Sequence, residues 1–142
     1  MKTNRLSKTL AGALNAQMMK EAKASQIYLS YASWAEHKRF SGIANLLFRN
    51  AEEKRNHMMK ILDYILRRGS EVCVTDIPAP SEDPVSINSC LEIVLKNELE
   101  NTKAIHKLIK MSFDEEDWET WSFMKLFVKE QIQENTYDRL TG

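Results

Sequence analysis

The chain has 142 residues, with 20 Lys plus Arg against 20 Asp plus Glu, and this neutral balance leaves no electrostatic footprint for nucleic acid or an anionic membrane. The length suits one domain, residues 1–142, with its own core. No apolar run is long enough to span a bilayer and the start lacks the apolar segment of a signal peptide, so the expected location is cytoplasmic. Cys73 and Cys90 are too few for a disulfide scaffold and lack metal-finger spacing, which fits free thiols.

From Leu6 to Phe40 there is one Gly and no Pro. Leu10, Leu14, Met18, Tyr28, Ala32 and Ala35 fall at helical spacing, with Glu21 and Ser25 in the gaps. The spacing predicts a helix over roughly 5–39, about 50 Å long at ~1.5 Å per residue. Ser41-Gly42 then punctuates the chain, with Ser41 suited to cap a second helix. Its stripe runs Ile43, Leu47, Ile61 and Ile65, with Lys54, His57 and Met58 between them, and Arg67-Arg68-Gly69 closes it with two cations and a C-terminal Gly. All three prolines (Pro78, Pro80, Pro84) lie in the stretch from about Ser70 to Ser86, which therefore reads as a non-helical connection with Val72, Val74 and Ile77 packing along a surface.

A third helix is predicted from about Ile87, with Leu91, Val94, Leu95, Ile105, Leu108 and Ile109 on its stripe, Glu98 in the middle, and Ser89 and Glu92 at capping-box spacing. The acidic run Asp114 to Asp117 is read as opening the fourth helix, which carries Trp121, Met124, Phe127 and Val128, then Gln131 and Glu134. Two tightly joined helices, a long crossover and two more tightly joined helices predict an all-α antiparallel four-helix bundle with one long crossover between helices two and three. His37 and His106 lie off the stripes and read as surface residues, and the three tryptophans as packing.

Each stripe is interrupted on the face that should be buried. Helix one carries Glu21 and, two turns on, Tyr28; helix two carries Lys54 and His57, one turn apart; helix three carries Glu98; helix four carries Gln131 and Glu134. A buried charge is costly unless it is paired or binds a metal. One buried Glu opposite a Lys is ordinarily a structural ion pair, but interruptions on all four helices at similar depth resemble a di-iron carboxylate site.

The segments LNAQMMKEAKASQIYLSYASW, FSGIANLLFRNAEEKRNHMMKILDYI and WSFMKLFVKEQIQEN resemble the non-haem bacterial ferritins over nearly the whole chain, including the V-x-E-Q-x-x-E pattern at Val128, Glu130, Gln131 and Glu134. That resemblance implies a ferritin-like bundle that binds and stores non-haem iron, with iron ions and dioxygen as partners. By position, Glu21 and His57 resemble ligands of a first iron and Glu98 a ligand of a second, with Gln131 near that second iron. Tyr28 resembles the tyrosine that takes part in iron oxidation. Glu53, Glu130 and Glu134 resemble the carboxylates of a third, neighbouring iron site. Haem is not implied, because the haem-ligating methionine of bacterioferritins would fall at Arg55. Rubrerythrin-like sites need a second Glu-x-x-His where this chain has Gln131-x-x-Glu134.

One position departs from the pattern. The family's Glu-Glu-x-x-His is here Glu53-Lys54-Arg55-Asn56-His57, so Lys54 holds the place of the carboxylate that bridges both irons. An ammonium is donor-only and cannot ligate metal. The expectation is a degenerate oxidation centre, with weakened or absent Fe(II) oxidation. The alternative is a catalytically silent structural subunit in which Lys54 replaces metal by an internal ion pair and which co-assembles with an active ferritin. Typical members also carry a short fifth helix, which is not expected here. Self-association is therefore placed first at a dimer through helices one and two, with a larger shell beyond it.

Overall fold

The computed structural model describes the backbone of residues 5–80 and 82–141, with side chains described as far as residue 130. Four helices follow in chain order: α1 Lys8–His37, α2 Ser41–Arg67, α3 Ile87–Asp114 and α4 Trp118–Thr141. No strand occurs among the described residues. No helix among them is long and apolar enough to cross a membrane.

The helix ends show which local signals the chain uses. Ser7 caps α1 by accepting from the Leu10 amide at 3.1 Å. At α2 the cap position is Phe40, without a side-chain bond, so Ser41 is the first helical residue rather than the cap. The capping box of α3 is built by Ser86 and Ser89, each side chain accepting from the other's amide at 3.1 Å, and not by Ser89 and Glu92. Of the acidic run, Asp114 ends α3, whereas Asp117 accepts from the Thr120 amide at 3.1 Å at the start of α4. Short oxygen acceptors satisfy these orphan amides best, whichever residue the spacing favours.

Tight turns set α1 against α2 and α3 against α4. The pairs Gln17–Asn101 and Tyr28–Glu98 descend along α3 as they ascend α1, so these two are also antiparallel and α2 runs parallel to α3. The crossover between Arg68 and Ser86 is irregular, as its prolines require. It is tied to α1 where Asn15 donates to the Cys73 carbonyl at 2.9 Å and accepts its amide at 2.8 Å. Val72 packs on the core and Ile77 is half-buried, but Val74 is exposed. Both cysteines are free thiols, Cys73 exposed and Cys90 buried. Trp34 and Trp121 are partly buried, while Trp118 is half-exposed and stacks edge-on against Phe113 and Trp121 rather than entering the core.

The interior is divided lengthwise. One dry cluster joins Leu10, Leu14 and Met18 of α1 to Ile61 and Ile65 of α2, Ile105 and Leu108 of α3, and Met124 and Phe127 of α4. A second joins Tyr31, Ala32 and Ala35 to Ala44, Leu47 and Cys90. Each large aliphatic side chain so buried contributes about 2 kcal/mol. Between the clusters lie Glu21, Lys54 and His57, all buried.

Candidate metal centre in the middle layer

Helical spacing explains how this layer is assembled. Glu21 lies one turn after Gln17 on α1, His57 one turn after Lys54 on α2, and Asn101 one turn after Glu98 on α3, so each helix aims two polar groups at the axis.

Lys54 Nζ donates to Glu98 Oε2 at 3.0 Å, with the Lys54 side chain 2% and that of Glu98 15% exposed. The other carboxylate oxygen of Glu98 accepts from the Tyr28 hydroxyl at 2.8 Å. Glu21 Oε1 accepts from Asn101 at 2.9 Å, and Asn101 in turn accepts from Gln17 at 2.7 Å. Glu21 Oε2 has no hydrogen-bond partner among the described residues. It faces His57 Nδ1 at 3.7 Å, beyond hydrogen-bonding range. Burial alone would push the Glu21 carboxyl up, but His57, Lys54 and Asn101 outweigh it and hold it below its ordinary value. Glu21 therefore keeps its negative charge.

On its far side His57 Nε2 lies 3.5 Å from Glu130 Oε2, and the ring sits edge-on to Phe127 with centroids 5.1 Å apart. Lys60 donates to both oxygens of Glu130, at 3.0 and 3.3 Å. Glu53 is half-buried on α2. Among the described residues no three His, Cys, Asp or Glu side chains converge as a metal-holding group. Gln131 and Glu134 belong to α4, but their side chains lie outside the described residues. His37 and His106 are exposed.

Three participants escaped the reading of the sequence. Gln17 and Asn101 orient Glu21, and Lys60 neutralises Glu130. Their one available signal was one-turn spacing from Glu21, Glu98 and His57. A separate polar network closes the bundle end. There Arg68 forks onto both oxygens of Asp117 at 3.1 Å and donates to the Tyr64 hydroxyl at 2.6 Å and to Thr120 at 3.1 Å.

Residues 11–138 match the ferritin family, described as a ferritin-like domain. A bacterial non-heme ferritin of Staphylococcus saprophyticus is 36% identical over 129 residues, covering 91% of this chain and 77% of that protein. A probable bacterial non-heme ferritin-like protein of Haemophilus influenzae is 31% identical, with 91% and 78% covered. An open-pore ferritin from the archaeon Archaeoglobus fulgidus superposes with a TM-score of 0.88 at 30% identity, over 93% of this chain and 80% of that one. With four helices in this order and a polar layer between two dry clusters, the chain belongs to the ferritin family and sits among the bacterial non-haem, iron-storing ferritins.

Proposed function

We propose that this chain binds and stores iron through a degenerate oxidation centre, in which Lys54 leaves Fe(II) oxidation by dioxygen weakened or absent. The observation that carries this reading is the buried 3.0 Å ion pair between Lys54 and Glu98. A pair of iron ions does not fit these residues: the ammonium has no lone pair to offer, and its charge opposes two dications in a dry interior. A single Fe(II), as cargo, fits better. Glu21 Oε2, a buried carboxylate oxygen that accepts no hydrogen bond from the described residues, faces the imidazole of His57, and the two side chains offer the two donors. Glu98 is available to iron only when it releases Lys54, and Tyr28 stands beside it where it would assist electron transfer.

The test is anaerobic Fe(II) titration followed by addition of dioxygen. Lys54→Glu is expected to oxidise Fe(II) about tenfold faster than the parent or more, equivalent to ~1.4 kcal/mol off the barrier. Equal rates in the two proteins would overturn the reading. A second reading, the silent structural subunit that co-assembles with an active ferritin, draws on Lys60, whose ammonium occupies Glu130 of the neighbouring cluster. Equilibrium Fe(II) binding separates the two: retained iron supports storage by this chain, and no retained iron supports the silent subunit.

Self-association belongs to the same proposal, as does a cytoplasmic location. The α2 helix exposes Phe48, Met59 and Leu66 along one side, and we place the first dimer contact on the outward surfaces of α1 and α2, with a larger shell built from such dimers.

A further inference from the structure

The apolar side chains of α3 divide between two sides of the helix. Ile105 and Leu108 are buried, and Ile93 and Val94 pack on the second dry cluster. Leu91, Leu95 and Leu99 instead face solvent, 39%, 60% and 57% exposed, although spacing places the first two on the buried stripe. They recur every fourth residue and so form one ridge, about 12 Å long. Single exposed leucines are ordinary, whereas a contiguous row rimmed by charge marks a contact surface. Glu92 and Lys96, one turn apart and both exposed, form that rim on one flank of the ridge.

We propose that the ridge is a self-association face, on which α3 packs antiparallel against α3 of a second copy. The order of charge along the rim selects this occupant. A two-fold axis near Val94 sets Glu92 of one copy opposite the partner's Lys96, and Lys96 opposite the partner's Glu92. The same rotation lays Leu95 between the partner's Leu91 and the partner's Leu95, and Leu99 beside the partner's Leu91. Both ridges leave water together, which supplies the driving force. The rim pairs add modest affinity in open solvent and fix direction and register. A parallel pairing would set this flank against the partner's other flank, away from the complementary charges.

Glu92, Lys96 and the three leucines all belong to α3. The contact is therefore separate from the one placed on α1 and α2, and a chain with both joins dimers in pairs. It needs no metal and no change of protonation in the middle layer.

The experiment is sedimentation of the full chain over a range of concentrations, in the parent and in a Phe48→Glu background that weakens the α1–α2 contact. Glu92→Lys and Lys96→Glu each give the rim one sign of charge, so two repulsions replace two attractions. Each is expected to weaken association across this face about tenfold. Both exchanges in one chain restore complementary pairs without changing net charge, and are expected to recover the parent's association. Leu95→Ser is expected to weaken association about tenfold, with an unchanged urea midpoint at a dilution where the chain is monomeric. Unaltered sedimentation of Leu95→Ser, or no recovery in the double exchange, would overturn the proposal. So would a lower urea midpoint with unchanged sedimentation, which would mean that another part of the same chain covers the ridge. If sedimentation responds to Phe48→Glu alone, the α1–α2 contact stands and this one falls; a response to the α3 variants alone has the reverse meaning.

Discussion

An amine and a carboxylate taken out of water together depend on each other for their solvation. Removing only Lys54 takes from Glu98 the ammonium at 3.0 Å and leaves the Tyr28 hydroxyl on its other oxygen. Because Glu98 retains some exposure, Lys54→Met is expected to destabilise by about 2 kcal/mol, below the full range for a buried pair. The double variant with Glu98→Gln should recover at least half of that loss, read from denaturant unfolding at fixed protein concentration. Glu21 sets a pH dependence of definite sign. Its carboxyl is held below 4.5 in the fold, so its contribution is present above that pH and is lost as pH falls through the folded value. Asp117, lowered from 3.8 because Arg68 and Thr120 outweigh its burial, adds a second loss in the acid range. Glu21→Gln is therefore expected to flatten the fall in the urea midpoint below pH 4.5, and an unchanged slope would contradict this account. Glu21, Lys54, His57 and Glu98 could be found in the sequence because an ionisable residue on an apolar stripe stands out. Gln17 and Asn101 could not, since a neutral amide costs less to bury and so carries little pattern of its own.

Each of the three tight helix ends closes with a residue in the left-handed region. Arg39 (φ 68°), Gly69 (φ 81°) and Glu116 (φ 56°) follow α1, α2 and α3, and the amide of the next residue reaches back to Ala35, Ile65 and Ser112. Only Gly69 adopts this conformation without a Cβ penalty. Arg39→Gly and Glu116→Gly should each stabilise the fold by about 0.5–1 kcal/mol, the relief of strain partly offset by a more flexible unfolded chain; a fall in melting temperature for both would refute it. Helix spans were legible because they rest on apolar spacing repeated over many turns. Caps were not, because one hydrogen bond decides each of them and several Ser, Asp and Glu residues compete for it. The spacing of Ser89 and Glu92 fits a capping box as well as that of Ser86 and Ser89, and it is Ser86, with extended backbone, that holds the cap position.

For the molecule as a whole, the crossover and the outer surfaces matter most. Asn15 pairs with the Cys73 backbone as a strand would, which holds the crossover against α1 without a helix or sheet of its own. Topology was legible from the grouping of the prolines, whereas this clamp, spanning 58 residues, was not. On the opposite account, Phe48→Glu and Met59→Glu place a charge on the exposed side of α2. Each is expected to shift sedimentation towards the monomer by weakening self-association about tenfold or more. Unaltered sedimentation for both would move the dimer contact elsewhere.

The polar layer also fixes how far along one another the helices lie. Sliding α2 by one turn, ~5.4 Å, would carry Lys54 into one of the dry clusters that flank it, around Leu47 or around Ile61. That move would strand an ammonium among aliphatic side chains, at a penalty of several kcal/mol. The layer thus acts as a locating pin with a single seat, whatever ion it holds. Its chemistry can be exchanged, carboxylate for amine, without loosening the axial alignment, provided the seat stays polar and its neighbours stay dry.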